Sequence, residues 1–297
     1  MNPLPETWSS VPAPGMRRFV LVDGAMQREL GKALALQHYD GRSLFDNESP
    51  EAMALGPWLL SAEQAPAAGV DGIARGITWL DGGLESAQAA AHLRTWMIAP
   101  LPDGVPRGYL RLGDSRVLRT MLEIWNARQR AEFLAPWQQI CCVDRDGKGW
   151  MMPTALLAKA RSVPRVGPRL KAAQYRRLLD SSVPDQLLHE LQRHVTPHAT
   201  LSSRERRHAE AVRTLDVAVQ AGYSAPADWM SLVGGVLKRG AGAVEALQDH
   251  PDVKSGRTGA DLWRAMMVDE RWPRLKSELG EIDVREERGG SMRKIVE

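Results

Sequence analysis

The stretch R-G-Y-L-R-L-G-D-S-R-V-L-R-T-M-L-E-I-W, residues 107–125, decides how the first half of this chain is read. Tyr109, Leu110 and Leu112 predict a short strand over Gly108–Leu112. A charged turn follows, Arg111-Leu112-Gly113-Asp114-Ser115-Arg116. Val117, Leu118, Met121, Leu122 and Trp125 then recur at helical spacing and predict a helix over Ser115–Ala127. Strand, charged turn and helix in 20 residues or so is the unit from which a layered α/β lobe is built.

The same alternation extends to both sides. Phe19-Val20-Leu21-Val22 is a continuous apolar run ending in Asp23-Gly24, the pattern of a buried strand and its turn, and a helix is expected from Ala25 to Leu36. Pro57–Leu60 and Ile73–Leu80 predict two further strands, and Leu84–Met97 a helix stopped by Pro100. Pro102-Asp103-Gly104 reads as a turn. Gln138–Val143 and Gly149–Met152 flank Asp144-Arg145-Asp146-Gly147-Lys148, a hairpin signature. The expectation is an α/β (α+β) N-terminal lobe with a mixed sheet.

Past Pro153 strand signals stop. Arg169–Leu179 and Asp185–Val195 read as two helices. Ser202 and Glu205 have capping-box spacing before a helix that runs to Ala221 and stops at Gly222. Ala225-Pro226 opens another helix through Lys238, and Thr258–Val268 is a further one. Gly234-Gly235 through Gly242 reads as a flexible junction between helices. The second lobe is therefore expected to be all-α. The divisions drawn are a flexible arm at 1–18, an α/β domain at 19–152, a basic linker at 153–168, a helical lobe at 169–280 and a charged tail at 281–297.

Composition is that of a globular protein: 297 residues, 43% hydrophobic and 25% charged. Ten Trp against three Phe and four Tyr is unusual, and Trp suits partly buried seams and interfaces. The N-terminus has neither the basic nor the apolar region of a secretory signal, no run is long enough to span a bilayer, and the two adjacent Cys suit a reducing compartment. These point to a cytoplasmic protein that no membrane holds. The net charge of +3 is uneven: residues 1–152 carry 15 Lys and Arg against 17 Asp and Glu, residues 153–297 carry 24 against 19. No acidic residue falls between Asp146 and Asp180, a stretch that holds Lys148, Lys159, Arg161, Arg165, Arg169, Lys171, Arg176 and Arg177. Without a helix-turn-helix, finger or RNA-binding signature, a solvated linker and helix face is the plainer account, and nucleic acid is not the expected partner.

No phosphate loop and no nucleophile elbow occurs. His189, His194 and His198 are spaced suggestively, but Pro197 breaks the helix that would align them, so no metal is expected. Cys141 and Cys142, flanked by Ile140 and Val143, read as inert strand residues. Asp23, Asp81, Asp114 and Asp144 stand at strand ends or turns, where a carboxylate can serve as acid or base and where Asp is equally wanted for turns and caps.

Several stations of the first half, taken in order, resemble the type VI secretion effector adaptors, a family typically encoded between a VgrG or PAAR spike protein and a toxin. They are Phe19–Ala25, Arg42–Phe45, Gly56–Leu60, Leu93–Trp96 with Pro102–Gly104, Tyr109–Leu118 and Phe133–Trp137. Ser115 stands where the family often has Pro, and Gly113 where it often has an aromatic. The resemblance implies a non-catalytic adaptor, with no catalytic residue and no cofactor, that binds a toxin effector or PAAR-containing protein and helps load it onto the VgrG spike. It also implies a variable second half suited to different cargoes, in which Trp229, Trp263 and Trp272 are candidate anchors. Arg111, Asp114 and Arg116 are either a structural turn, with Asp114 capping the next helix and the arginines pairing with it, or a partner contact. An α/β enzyme using Asp23, Asp81 or Asp114, or a nucleic-acid module using residues 148–177, are the alternatives.

Overall fold

The structure, a computed structural model, describes residues 1–5, 8, 12–45, 48–102, 108–152 and 169–268. The basic linker at 153–168, the charged tail, Trp272 and the tip of the Asp103-Gly104 turn lie outside them. Two compact units are present. The first holds residues 1–186 with Ser203–Glu205, the second Leu187–Ser202 and the chain from Arg206 on.

The first unit is built on a six-stranded sheet. Its strands are β1 (Arg17–Asp23), β2 (Arg42–Ser43), β3 (Pro57–Ser61), β4 (Ile77–Gly82), β7 (Trp137–Val143) and β8 (Gly149–Met151), in the order β2-β3-β1-β4-β7-β8. The expected division into a sheet-bearing first half and a helical second half is found. The sheet, however, is antiparallel at every pairing rather than mixed. Helices cover it all the same, which explains why β1 reads as an unbroken apolar run. Phe19 and Leu21 face one cluster with Leu80, Leu93, Trp96, Trp125 and Phe133, while Val20 and Val22 face another with Leu34, Trp58, Ile77 and Trp79. Successive strand residues point to opposite faces, so both faces must be apolar here.

The first cluster is supplied by α3 (Ser86–Met97), α4 (Ser115–Ile124) and α5 (Ala127–Leu134), the second in part by α1 (Arg28–Ala35). A short helix α2 (Pro50–Leu55) precedes β3. In residues 1–18, read as a flexible arm, the described Asn2 and Trp8 are held by the rest of the unit. Asn2 and Ile73 exchange backbone hydrogen bonds of 2.9 and 2.8 Å, and Trp8 is 5% exposed, with the Arg18 guanidinium 4.6 Å from its ring centre.

The deciding stretch folds differently from its expectation in two respects. The strand is two residues long, β6 (Gly108–Tyr109), and pairs with β5 (Ile98–Ala99) in a ladder separate from the main sheet. The helix expected to reach Ala127 ends at Ile124, because Trp125 is extended and Asn126 opens α5 with a reciprocal capping box to Gln129.

The second unit is helical. Its elements are α6 (Ala172–Leu191), a 3-10 turn (Ala199–Leu201), α7 (Arg204–Gln220), α8 (Pro226–Arg239), α9 (Ala243–Asp249), α10 (Pro251–Lys254) and α11 (Gly259–Val268). Of these, α6 belongs mostly to the first unit, which holds residues 172–186 of it, and the first two residues of α7 are counted there too. The two helices expected over 169–195 are one, with Pro184 inside it. The compact units part at Gln186/Leu187, later than the composition change at 153–168, because Leu170, Tyr175 and Leu178 pack into the core of the first unit. The Ser202–Glu205 capping box does not form. Asp146 Oδ1 accepts instead from the backbone N–H groups of Arg204 and Glu205, at 2.5 and 3.3 Å. Gly234 and Gly235 are no junction: they lie inside α8, where a side chain on Gly235 would stand 3.0 Å from Met266 Cβ of α11. Small residues at that contact let the two helix backbones approach closely.

Candidate functional site

At the end of β1, Asp23 is fully buried and Arg111 reaches it from the charged turn. Arg111 donates from Nε at 3.0 Å and from Nη2 at 2.8 Å, a bidentate pair. The Asp23 hydrogen bonds raise the Arg111 pKa above its ordinary value. Gly113 makes the approach possible, since a Cβ there would come within 3.1 Å of Asp23 Cβ. Tyr109, half-buried beside this pair, has its phenol pushed up by burial and then by the Asp23 charge.

Asp114 is the N-cap of α4, accepting from Arg116 N at 3.0 Å, and its carboxylate also takes the Arg116 guanidinium at 3.1 and 2.7 Å. Burial works against its charge. The Arg116 hydrogen bonds and charge outweigh burial, so its carboxyl sits below the ordinary aspartate value. Arg116 also stands 3.8 Å from Asp185, which Arg145 of the β7–β8 hairpin holds at 3.2 Å. Glu205 joins from the first turn of α7, paired with Arg119 at 2.6 Å and Arg145 at 3.5 Å. Burial opposes the Glu205 charge too, and the hydrogen bond from Arg119 helps hold its carboxyl below the ordinary range.

The turn residues Arg111, Asp114 and Arg116 are thus brought together, but the arginines do not share Asp114. Arg116 pairs with it, whereas Arg111 pairs with Asp23, 88 residues away. Sequence reasoning missed that pairing, and with it Arg145, Asp185 and Glu205. Asp23 and Arg111 each carried a signal of their own, a polar residue at a strand end, and nothing local joined them. Asp81 is held by Arg18 on the neighbouring strand, and Asp144 accepts from Lys148 N at 2.8 Å within its hairpin turn. Each of the four strand-end carboxylates is therefore engaged by its own fold.

The cap gives a first expected result. Asp114→Ala should cost about 0.5–2 kcal/mol of stability. Because the folded-state pKa is lowered, the charged form is what folding favours. The contribution is full above the ordinary value of 3.8 and fades as pH falls through the lower folded value. Urea denaturation of wild type and Asp114→Asn between pH 7 and pH 3 should show the difference shrinking at the acid end. A gap that widens there contradicts the assignment.

Cys141 and Cys142 are free and fully buried. Burial raises the Cys141 thiol to about 12 and pushes Cys142 up as well. Thiolate is the reactive form, so neither should react with an aromatic disulfide reagent at pH 8 until the protein is denatured. Rapid labelling of the folded protein would contradict this. His198 Nδ1 accepts from Thr200 N at 3.3 Å and caps the 3-10 turn, and His189 Nδ1 lies 3.0 Å from Gln192 Nε2. Among the described residues no group of three or more His, Cys, Asp or Glu is placed to hold a metal, and no helix is long and apolar enough to cross a membrane. Trp229 donates its indole N–H to Tyr223 O at 3.0 Å and packs on the core of its own unit, and Trp263 of α11 lies beside Gly234.

Residues 18–132 match the family model of a domain of unknown function, DUF4123. The matched stretch begins in β1, ends within α5, and contains Asp23, Arg111, Asp114 and Arg116. No curated protein and no solved structure matches the chain.

Proposed function

We propose that the protein is a non-catalytic adaptor that binds a type VI secretion toxin effector, or a PAAR-containing protein, in the cytoplasm and helps load it onto the VgrG spike. The observation that carries this is the DUF4123 domain at residues 18–132, which takes in nearly all the stations on which the resemblance to effector adaptors rests. The engagement of Asp23, Asp81 and Asp114 by arginines agrees with it. Carboxylates locked in bidentate or capping hydrogen bonds hold a turn in shape rather than exchange protons with a substrate. The DUF4123 domain would be the common scaffold, and the helical unit with Trp229, Trp263 and Trp272 the part that adapts to cargo.

Deleting the gene should leave the neighbouring toxin synthesised and folded but undelivered, with delivery restored by the gene in trans. Delivery at the wild-type level without the protein would overturn the proposal. Replacing Trp229 and Trp263 by Ala separates anchors from core. An anchor costs more than about 2 kcal/mol of binding, whereas a core Trp lowers stability and leaves binding per folded molecule unchanged.

A further inference from the structure

Arg75 stands at the same end of the sheet as the Asp23 cluster. Its carbonyl accepts from Gln27 Nε2 at 2.6 Å, and the carbonyl of the next residue, Gly76, accepts from Asp23 N at 2.8 Å. These two bonds fix the Arg75 main chain beside Asp23, within the DUF4123 domain. The side chain is half-buried, yet among the described residues its guanidinium makes no hydrogen bond and no ion pair. The neighbouring carboxylates are already taken: Asp23 by Arg111, Asp114 by Arg116, Asp185 by Arg145. Burial, then the like charges of Arg116 and Arg204, lower the Arg75 pKa from its ordinary value. Asp114 and Asp185 oppose that shift, but from a distance and while bound to other arginines. A partly desolvated cation with like neighbours and, among the described residues, no carboxylate hydrogen-bonded to it is unfavourable in the free protein. An incoming anion relieves it.

We propose that Arg75, with Arg116 beside it, receives an acidic side chain of the protein this adaptor carries. The inference rests on the adaptor reading and names a contact for it. A carboxylate fits better than a phosphate backbone. The planar fork of Arg75 suits one bidentate carboxylate, whereas a run of phosphates laid over the cluster would also meet Asp114 and Asp185.

Two measurements test it. In the first, the protein labelled with 15N-arginine is titrated at fixed ionic strength with a capped tetraglutamate peptide, a capped tetralysine peptide and inorganic phosphate. Arg75→Gln identifies the Arg75 Nε–H resonance. That resonance should shift saturably with tetraglutamate and stay put with tetralysine. No response to tetraglutamate, or an equal response to phosphate, overturns the assignment to an acidic side chain. In the second, binding of the toxin encoded beside the gene is compared for wild type and Arg75→Glu. The variant should fold, since its new carboxylate lies beside Arg116 and Arg204, and it should bind about tenfold or more weakly with an unchanged melting temperature. If both bind the toxin equally, this inference is wrong and the adaptor reading stands. If wild type holds no toxin, the adaptor reading fails, and the peptide titration decides whether Arg75 is an acceptor for carboxylates.

Discussion

Asp81→Ala is expected to destabilise the protein by about 3–5 kcal/mol. Arg18 and Asp81 sit directly opposite each other in the β1–β4 ladder. The Arg18 guanidinium donates to both oxygens of Asp81, at 2.7 and 2.8 Å, with the two side chains 6% and 3% exposed. Removing the carboxylate leaves a buried cation without its bidentate partner, and that lost compensation, more than the attraction itself, sets the cost. It follows that replacing both partners, Arg18→Met with Asp81→Leu, should cost far less than the single change. Chemical denaturation of the three variants checks this. A loss below about 1 kcal/mol for Asp81→Ala would put the pair in the class of exposed ion pairs and contradict its burial.

Trp125→Ala is expected to cost about 3–5 kcal/mol as well, for a different reason. Trp125 ends α4 and is 2% exposed. Its ring lies 5.0 Å from Trp96 and 4.9 Å from Phe133, centre to centre, and so joins α3, α4 and α5. Truncation opens a cavity where three helices meet under the sheet. The indole N–H has no hydrogen-bond partner among the described residues, so Trp125→Phe keeps most of the packing and removes an unsatisfied donor. It should cost much less than the alanine. Equal losses for Phe and Ala would mean that the N–H, not the ring, is what the site needs.

How far the sequence foretold the structure depends on the range of the forces involved. β1, β3, the β7–β8 hairpin and α3 were legible because each is set by local pattern: an apolar run, a turn signature, a Pro stop. The direction of the strands was not, because strand–helix alternation is shared by parallel and antiparallel sheets, and only the long-range pairing of β1 with β3 and β4 decides it. The break at Trp125-Asn126 was hidden because Trp125 keeps the helical spacing while Asn126 and Gln129 form a new cap. Gly234 and Gly235 misled for a related reason. Propensity counts them as helix breakers, and the close approach of α11 reverses their meaning. At the candidate site the residue types were visible and the partners were not. Asp114 was legible as a cap because its partner lies two residues away. Arg111 was misassigned because Asp23 lies at the far end of the domain. Arg75 gave no signal, since what marks it is that among the described residues its guanidinium makes no hydrogen bond or ion pair.

The central claim is that this protein forms a stable complex with the toxin or PAAR-containing protein encoded beside it. Mixing the two at micromolar concentration and measuring molar mass by light scattering during size exclusion tests it most directly. The account predicts one species whose mass is a sum of both chains and which persists on dilution. Separate elution of the two folded proteins would contradict it.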